Sequence, residues 1–119
     1  MIRLTLPVCP SANDWHRSIV IRGQVRVLLT KTAREYTASI QGLCAAQGCK
    51  AINAPKDIDV EIVWYRAQRR GDVDKRGAVL LDALQGIAYD NDSQIRSYLI
   101  IREEDKLSPR MEVQIMEAV

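Results

Sequence analysis

The spacing of apolar residues along the chain changes period several times, and each change marks an element. Residues 1–7 alternate, with Ile2, Leu4 and Leu6 facing one way and Arg3 and Thr5 the other, which predicts a strand ended by Pro7 and Pro10. The loop Cys9-Pro10-Ser11-Ala12-Asn13-Asp14-Trp15 is rich in turn formers; Trp15 reads as its anchor on the core and Asn13 as a bond to neighbouring backbone. Residues 17–29 are short and β-branched on either side of Arg22-Gly23-Gln24, a hairpin pattern. A helical period then takes over. Thr32-Ala33-Arg34-Glu35 fits a capping box, Tyr36, Ile40, Leu43 and Cys44 form one apolar stripe, and Gly48 is the stop.

Alternation returns at Ile58, Val60, Ile62 and Trp64, the strongest strand pattern in the chain and the one expected at the sheet centre. A second helix is predicted from Lys75 to Gln85, with Asp74 as its N-cap and Gly86 as its C-cap. Val79, Leu80, Ala83, Leu84 and Ile87 make its buried face, and Lys75, Ala78 and Asp82 a separate stripe. A turn over 89–94 and strands over 94–102 and 111–116 complete the order. Together these elements predict an α+β fold: a small domain over 1–119, a mixed β-sheet with an N-terminal hairpin and two helices packed on it.

Composition narrows the classes. At 119 residues, 47% hydrophobic and 27% charged, the chain is an ordinary globular sequence, and with no Phe its core must rest on Leu, Ile, Val and Ala. A net charge of +2 excludes a global polycation, so any nucleic-acid footprint must be local. Such a surplus exists in Arg66, Arg69, Arg70, Lys75 and Arg76, although a solvated loop explains it equally well. Cys9, Cys44 and Cys49 have no paired spacing, which fits a reducing cytoplasm rather than a disulfide framework. A single His16 suggests no zinc site, and no stretch reads as a signal peptide or a membrane span, so no membrane partner is expected.

The candidate chemistry lies in Arg69-Arg70-Gly71-Asp72-Val73-Asp74-Lys75-Arg76. Two carboxylates two positions apart repel unless a cation lies between them, and the flanking cations suit a polyanion. Asp90-Asn91-Asp92, one helix downstream, offers a further carboxylate. On this reading Asp72, Asp74 and Asp92 hold Mg²⁺, with Mn²⁺ as an alternative, while Arg66, Arg69, Arg70, Lys75 and Arg76 meet DNA phosphates. The simpler reading makes Asp74 a helix cap and Asp72 a loop residue.

Asp72-Val73-Asp74, Leu80-Leu81-Asp82-Ala83-Leu84, Gly86, Asp90-Asn91-Asp92-Ser93-Gln94-Ile95 and the earlier Pro10-Ser11-Ala12-Asn13 stand at nearly the spacings of one family. The sequence resembles the RusA family of Holliday junction resolvases over nearly its whole length. The resemblance implies a homodimeric, Mg²⁺-dependent crossover junction endodeoxyribonuclease of DNA recombination and repair. It nicks four-way junction DNA symmetrically, and its genes are common in phages and prophages. The essential aspartates map to Asp72, Asp74 and Asp92, and Asp82 falls on an aspartate that can be structural or catalytic.

One departure stands out. The family lysine four positions after D-x-D is Ala78 here, and the Asn that follows D-x-D is Lys75. Lys75 lies one turn before Ala78 on the same stripe, so Lys75, or else Arg76, is the candidate replacement and Lys75 joins the catalytic set. Without such a replacement, a junction- or branched-DNA-binding protein with weak or lost cleavage is the alternative. A structural dimer with no DNA affinity is a third. Spacing also leaves a geometric question, since an eleven-residue helix advances about 16 Å. Asp92 must therefore fold back along the helix to reach Asp74, or come from another subunit.

Overall fold

The computed structural model describes residues 1–119. Strand β1 (Ile2–Leu6) leads through a 3₁₀ turn at Ala12–Asp14 into the hairpin strands β2 (His16–Ile21) and β3 (Gln24–Leu29). Helix α1 (Lys31–Ala46), strand β4 (Ile58–Arg66), helix α2 (Val73–Leu84), strand β5 (Ile95–Glu104) and strand β6 (Arg110–Glu117) follow. The main sheet has the order β1-β6-β4-β5, so β4 is an inner strand, as its alternation predicts. β4 and β5 run parallel with α2 crossing between them, and the other pairings are antiparallel, which makes the sheet mixed and the fold α+β.

One face of this sheet carries the core. Leu4 and Leu6 of β1, Ile58, Val60, Ile62 and Trp64 of β4, and Met111, Val113 and Ile115 of β6 are buried. Ala33, Tyr36, Ile40 and Cys44 of α1 and Val79, Leu80, Ala83 and Leu84 of α2 are buried with them. The opposite face is open, with a shallow depression among Arg3, Thr5, Glu61, Val63, Glu112 and Gln114. The hairpin stands apart as its own two-stranded sheet and turns tightly through Arg22 and Gly23, both at positive φ, the pairing a type I′ turn requires. Its Val20, Val25 and Val27 stay 64–70% exposed.

Both helix starts differ from the sequence expectation. α1 is capped by Thr30, not Thr32: Thr30 is extended and its Oγ1 accepts from the Ala33 amide at 3.0 Å. Glu35, read as the capping-box partner, instead lies 3.7 Å from Lys31 on the exposed face. α2 begins at Val73, not Lys75, and its N-cap is Asp72, whose Oδ1 accepts from the Asp74 amide at 2.9 Å. Either aspartate is chemically able to cap; the extended backbone at Asp72 decides it. At the other end Gln85 lies outside the helix, and Gly86 takes the positive φ that ends it. β5 starts at Ile95, because Gln94 belongs to the preceding turn.

Candidate active site

The first acidic cluster sits where β4 has ended and α2 begins. Gly71 adopts φ +98, and a Cβ there would meet Trp64 at 2.8 Å, so both its backbone and its contact require glycine. Trp64 is a buried plate beneath this turn, with the Arg76 guanidinium 4.9 Å above its ring and that of Arg66 at 5.8 Å. On this base Asp72 spends one oxygen on the cap, while the Asp74 carboxylate is exposed in the first helical turn. The positive end of the helix dipole favours both charges there.

The cations expected to meet phosphates divide into groups. Arg66 is 5% exposed and lies 3.4 Å from Glu104, so it is a buried strut and not a surface contact. Arg76 is half-buried; its Nη1 donates to the Cys9 carbonyl at 2.6 Å and it covers Trp64, so its head is committed and is not free to replace a lysine. Cys9 returns the tie by donating its thiol to the Arg76 carbonyl at 3.3 Å, and burial pushes that thiol up to about 12. Arg69 is exposed but paired with Glu104 at 3.0 Å. Arg70 and Lys75 are exposed and take no part in an ion pair.

The loop after β1 closes one side. Ser11, Ala12 and Asn13 face Gly71, Asp72, Lys75 and Arg76 across a small depression. Asn13, expected to bond backbone, makes no hydrogen bond within the chain; Ser11 takes the local role, donating to Asp14 at 3.0 Å. Trp15 is 2% exposed, packs edge-on against Tyr36 and donates from its indole nitrogen to Asp82 at 2.7 Å. Asp82 thus ties this loop to α2.

The second cluster is built differently. Both oxygens of Asp90 are used, accepting from Asn53 and from the Ala54 amide, each at 2.9 Å. These bonds, the Ala54 amide first, hold its carboxyl below the usual range. The Asn91 side chain accepts from the Ser93 amide at 2.9 Å. Gln94, 4% exposed, satisfies its whole amide: Oε1 accepts from the Asp90 and Asn91 amides, and Nε2 donates to the Ile52 and Lys56 carbonyls. Asp92 alone keeps a carboxylate with no partner in the chain, and its amide donates to Gln85 at 3.1 Å.

That last bond answers the geometric question for one chain. Gln85 marks the far end of α2, a helix of 12 residues that spans about 18 Å. Asp72 follows the C-terminal end of β4 and Asp92 precedes the N-terminal end of β5, and these strands are parallel. The two clusters therefore lie toward opposite ends of these strands. Asp72 and Asp74 have the oxygen chemistry of a divalent-cation site, but no group of three acidic, His or Cys side chains in one chain can hold a metal ion. In a single copy, Asp92 does not complete the site.

Sequence reasoning did not single out Tyr98. Its hydroxyl fills the space that a Cβ on Gly77 would occupy, only 1.7 Å from that ideal position. Gly77 is one turn after Asp74, so the tyrosine lies beside the first cluster. Burial, and then the Asp74 charge, push its hydroxyl up to about 12. The only sequence signal was the glycine inside a helical pattern.

The first cluster is a pair of carboxylates at the start of α2 flanked by the exposed cations Arg70 and Lys75. The family Endodeoxyribonuclease RusA matches residues 7–116, and the chain belongs to this family of endodeoxyribonucleases that resolve Holliday junctions. No curated relative matches it. No helix is long and apolar enough to cross a membrane.

Proposed function

We propose that the protein is a homodimeric, metal-dependent resolvase that cuts four-way DNA junctions by paired symmetric nicks in recombination and repair. The observation that carries this reading is the separation of the two groups of surface carboxylates. Asp72 and Asp74 stand past the C-terminal end of β4 and Asp92 before the N-terminal end of β5, and no group of three acidic, His or Cys side chains in one chain gathers them. A two-fold partner supplies what is missing, its Asp92 meeting the first pair, and generates two equivalent sites as paired nicks need. The exposed Val20, Val25 and Val27 of the hairpin support an association between copies.

Mg²⁺, or Mn²⁺ in its place, is the ion this oxygen-only set suits; when bound it supplies charge neutralisation at the phosphodiester. Residues of the chain do the rest. Asp72 and Asp74 orient that centre, Lys75 offsets charge on the phosphate, and Arg70 with the rim residue Arg69 tracks the DNA backbone. Lys75 takes the part of the family lysine replaced by Ala78. It is exposed, free of ion pairs and borders Asp72.

The test is cleavage of a synthetic four-way junction and a linear duplex in Mg²⁺, with the native chain and Asp74→Asn. Symmetric nicks on the junction alone, lost in the variant, are expected. Lys75→Ala is expected to cut at least about tenfold more slowly at concentrations that saturate junction binding. Full-rate cutting by this variant would remove Lys75 from the catalytic set. Ala78 favours a second reading, a junction-binding protein that cuts weakly or not at all, and binding without cutting by the native chain would select it.

A further inference from the structure

Two depressions meet along α2. The one beside Asp72, about 190 Å³, is lined mainly by polar and charged residues, among them Asn13, Asp72, Lys75 and Arg76. Its neighbour, about 320 Å³, is floored by Ala12, Trp15, Ala78 and Val79 and bounded by His16, Lys75 and Asp82. Ala12 and Lys75 line both, so the two form one groove with an ammonium at the divide. We propose that the apolar half is a slot for a nucleobase unstacked from the junction strand whose phosphate lies at Lys75. The inference rests on the function proposed above and adds to it a base-binding site.

The chemistry of the groove matches a nucleotide end to end. A nucleotide is anionic at its phosphate and flat and weakly polar across its base. Here the polar half holds Lys75, and the other half presents the methyl groups of Ala12 and Ala78 with Trp15 buried beneath them and His16 at the rim. The floor is fixed before binding. Trp15 is 2% exposed, its N–H is held by Asp82 at 2.7 Å, and its ring packs edge-on against Tyr36 at 6.3 Å. A preformed floor spares the ordering cost that a mobile one would add on binding.

Ala78 is what leaves the slot open. It is exposed on the same stripe of α2 as Lys75 and Asp82, and its side chain ends at Cβ. A lysine at this position, which the family resemblance leads one to expect, would extend across the mouth. The substitution that weakens the match to the family motif therefore creates room in this chain. Unstacking costs least where stacking is already interrupted, as at the branch point of a junction.

The experiment measures binding in EDTA, where cutting does not intervene. Four-way junctions carry one abasic nucleotide at successive positions around the crossover and are titrated with the native chain, Ala78→Leu and Ala78→Ser. Base removal at one position per cut strand is expected to weaken native binding about tenfold. Ala78→Leu fills the slot, so it should bind the intact junction as weakly as the native chain binds that abasic one, and be indifferent to the abasic site. Ala78→Ser keeps the slot open and should behave as native. Position 78 is exposed, and thermal unfolding of each variant verifies that it folds.

If native binding ignores every abasic position, or if Ala78→Leu binds the intact junction at native affinity, the slot is overturned and the resolvase reading stands. If the native chain binds no junction, the resolvase reading fails and the slot falls with it.

Discussion

Asp72-Val73-Asp74 and Asp90-Asn91-Asp92 have the same spacing and opposite designs. In the first, the leading aspartate gives one oxygen to a helix cap and the pair stays at the surface, backed by Trp64. In the second, the leading aspartate gives both oxygens to the loop at Asn53 and Ala54, Asn91 caps a 3₁₀ turn, and only Asp92 remains unpartnered. Two carboxylates at i, i+2 are thus no unit of function by themselves. What each does depends on which amides lie within reach once the chain has folded.

The contrast between Asp90 and Asp92 gives the largest expected effect. Asp92→Asn should lower junction cleavage about a thousandfold or more and leave the thermal midpoint unchanged, since its carboxylate holds nothing in the chain. Asp90→Ala should do the reverse, lowering the thermal midpoint with cutting retained in the folded fraction. Mixing Asp72→Asn with Asp92→Asn subunits then separates shared from unshared sites. Recovery of cutting at one site per dimer is the expected result, and a dead mixture would mean that each chain builds its own centre.

Gln94→Leu is the next step down. It removes a buried amide that satisfies two N–H groups and two carbonyls, so a loss of about 2–4 kcal/mol is expected in urea unfolding. Local hydrogen exchange should rise over 52–56 and 90–94 and stay unchanged over 71–76. Equal loosening of both clusters would show that they are not independent.

Gly77→Ala probes the other cluster. Helix propensity favours alanine by about 1 kcal/mol, but the new methyl group would displace Tyr98 and Ile100. A net cost of about 1 kcal/mol is expected, shrinking or changing sign in a Tyr98→Ala background. An identical effect in both backgrounds would remove Tyr98 as the neighbour that matters.

The smallest effect is in pH. The Asp90 carboxyl is held below its unfolded value by the Ala54 amide and Asn53, so its tie is fully present above the ordinary carboxylate pKa of about 3.9. It is lost as pH falls through the lowered folded value. Amide exchange at Ala54 should therefore quicken in acid before the sheet opens. No such change in Asp90→Asn would attribute it to this carboxylate.

Much of this molecule was legible in residue spacing alone. The alternation over Ile58–Trp64 dictated an inner strand, the stripe Tyr36, Ile40 and Cys44 dictated the buried face of α1, and positive-φ glycines at 23, 48 and 86 marked turns and helix ends. Periodicity carries that information because burial on one face repeats with the geometry of the element. Even the acidic residues and their cations could be chosen by type. Their duties could not. Whether Arg66 and Arg76 meet solvent depends on Trp64, Glu104 and the Cys9 carbonyl, the last 67 residues away from Arg76 in sequence. Whether Asp72 or Asp74 caps α2 depends on one backbone angle. The parallel pairing of β4 with β5, which puts Asp92 at the opposite strand end from Asp72, is a long-range contact that no local pattern encodes. Spacing along the chain selects elements and faces; only the closing of the sheet decides which charged groups are spent on the fold and which are left exposed and unpaired.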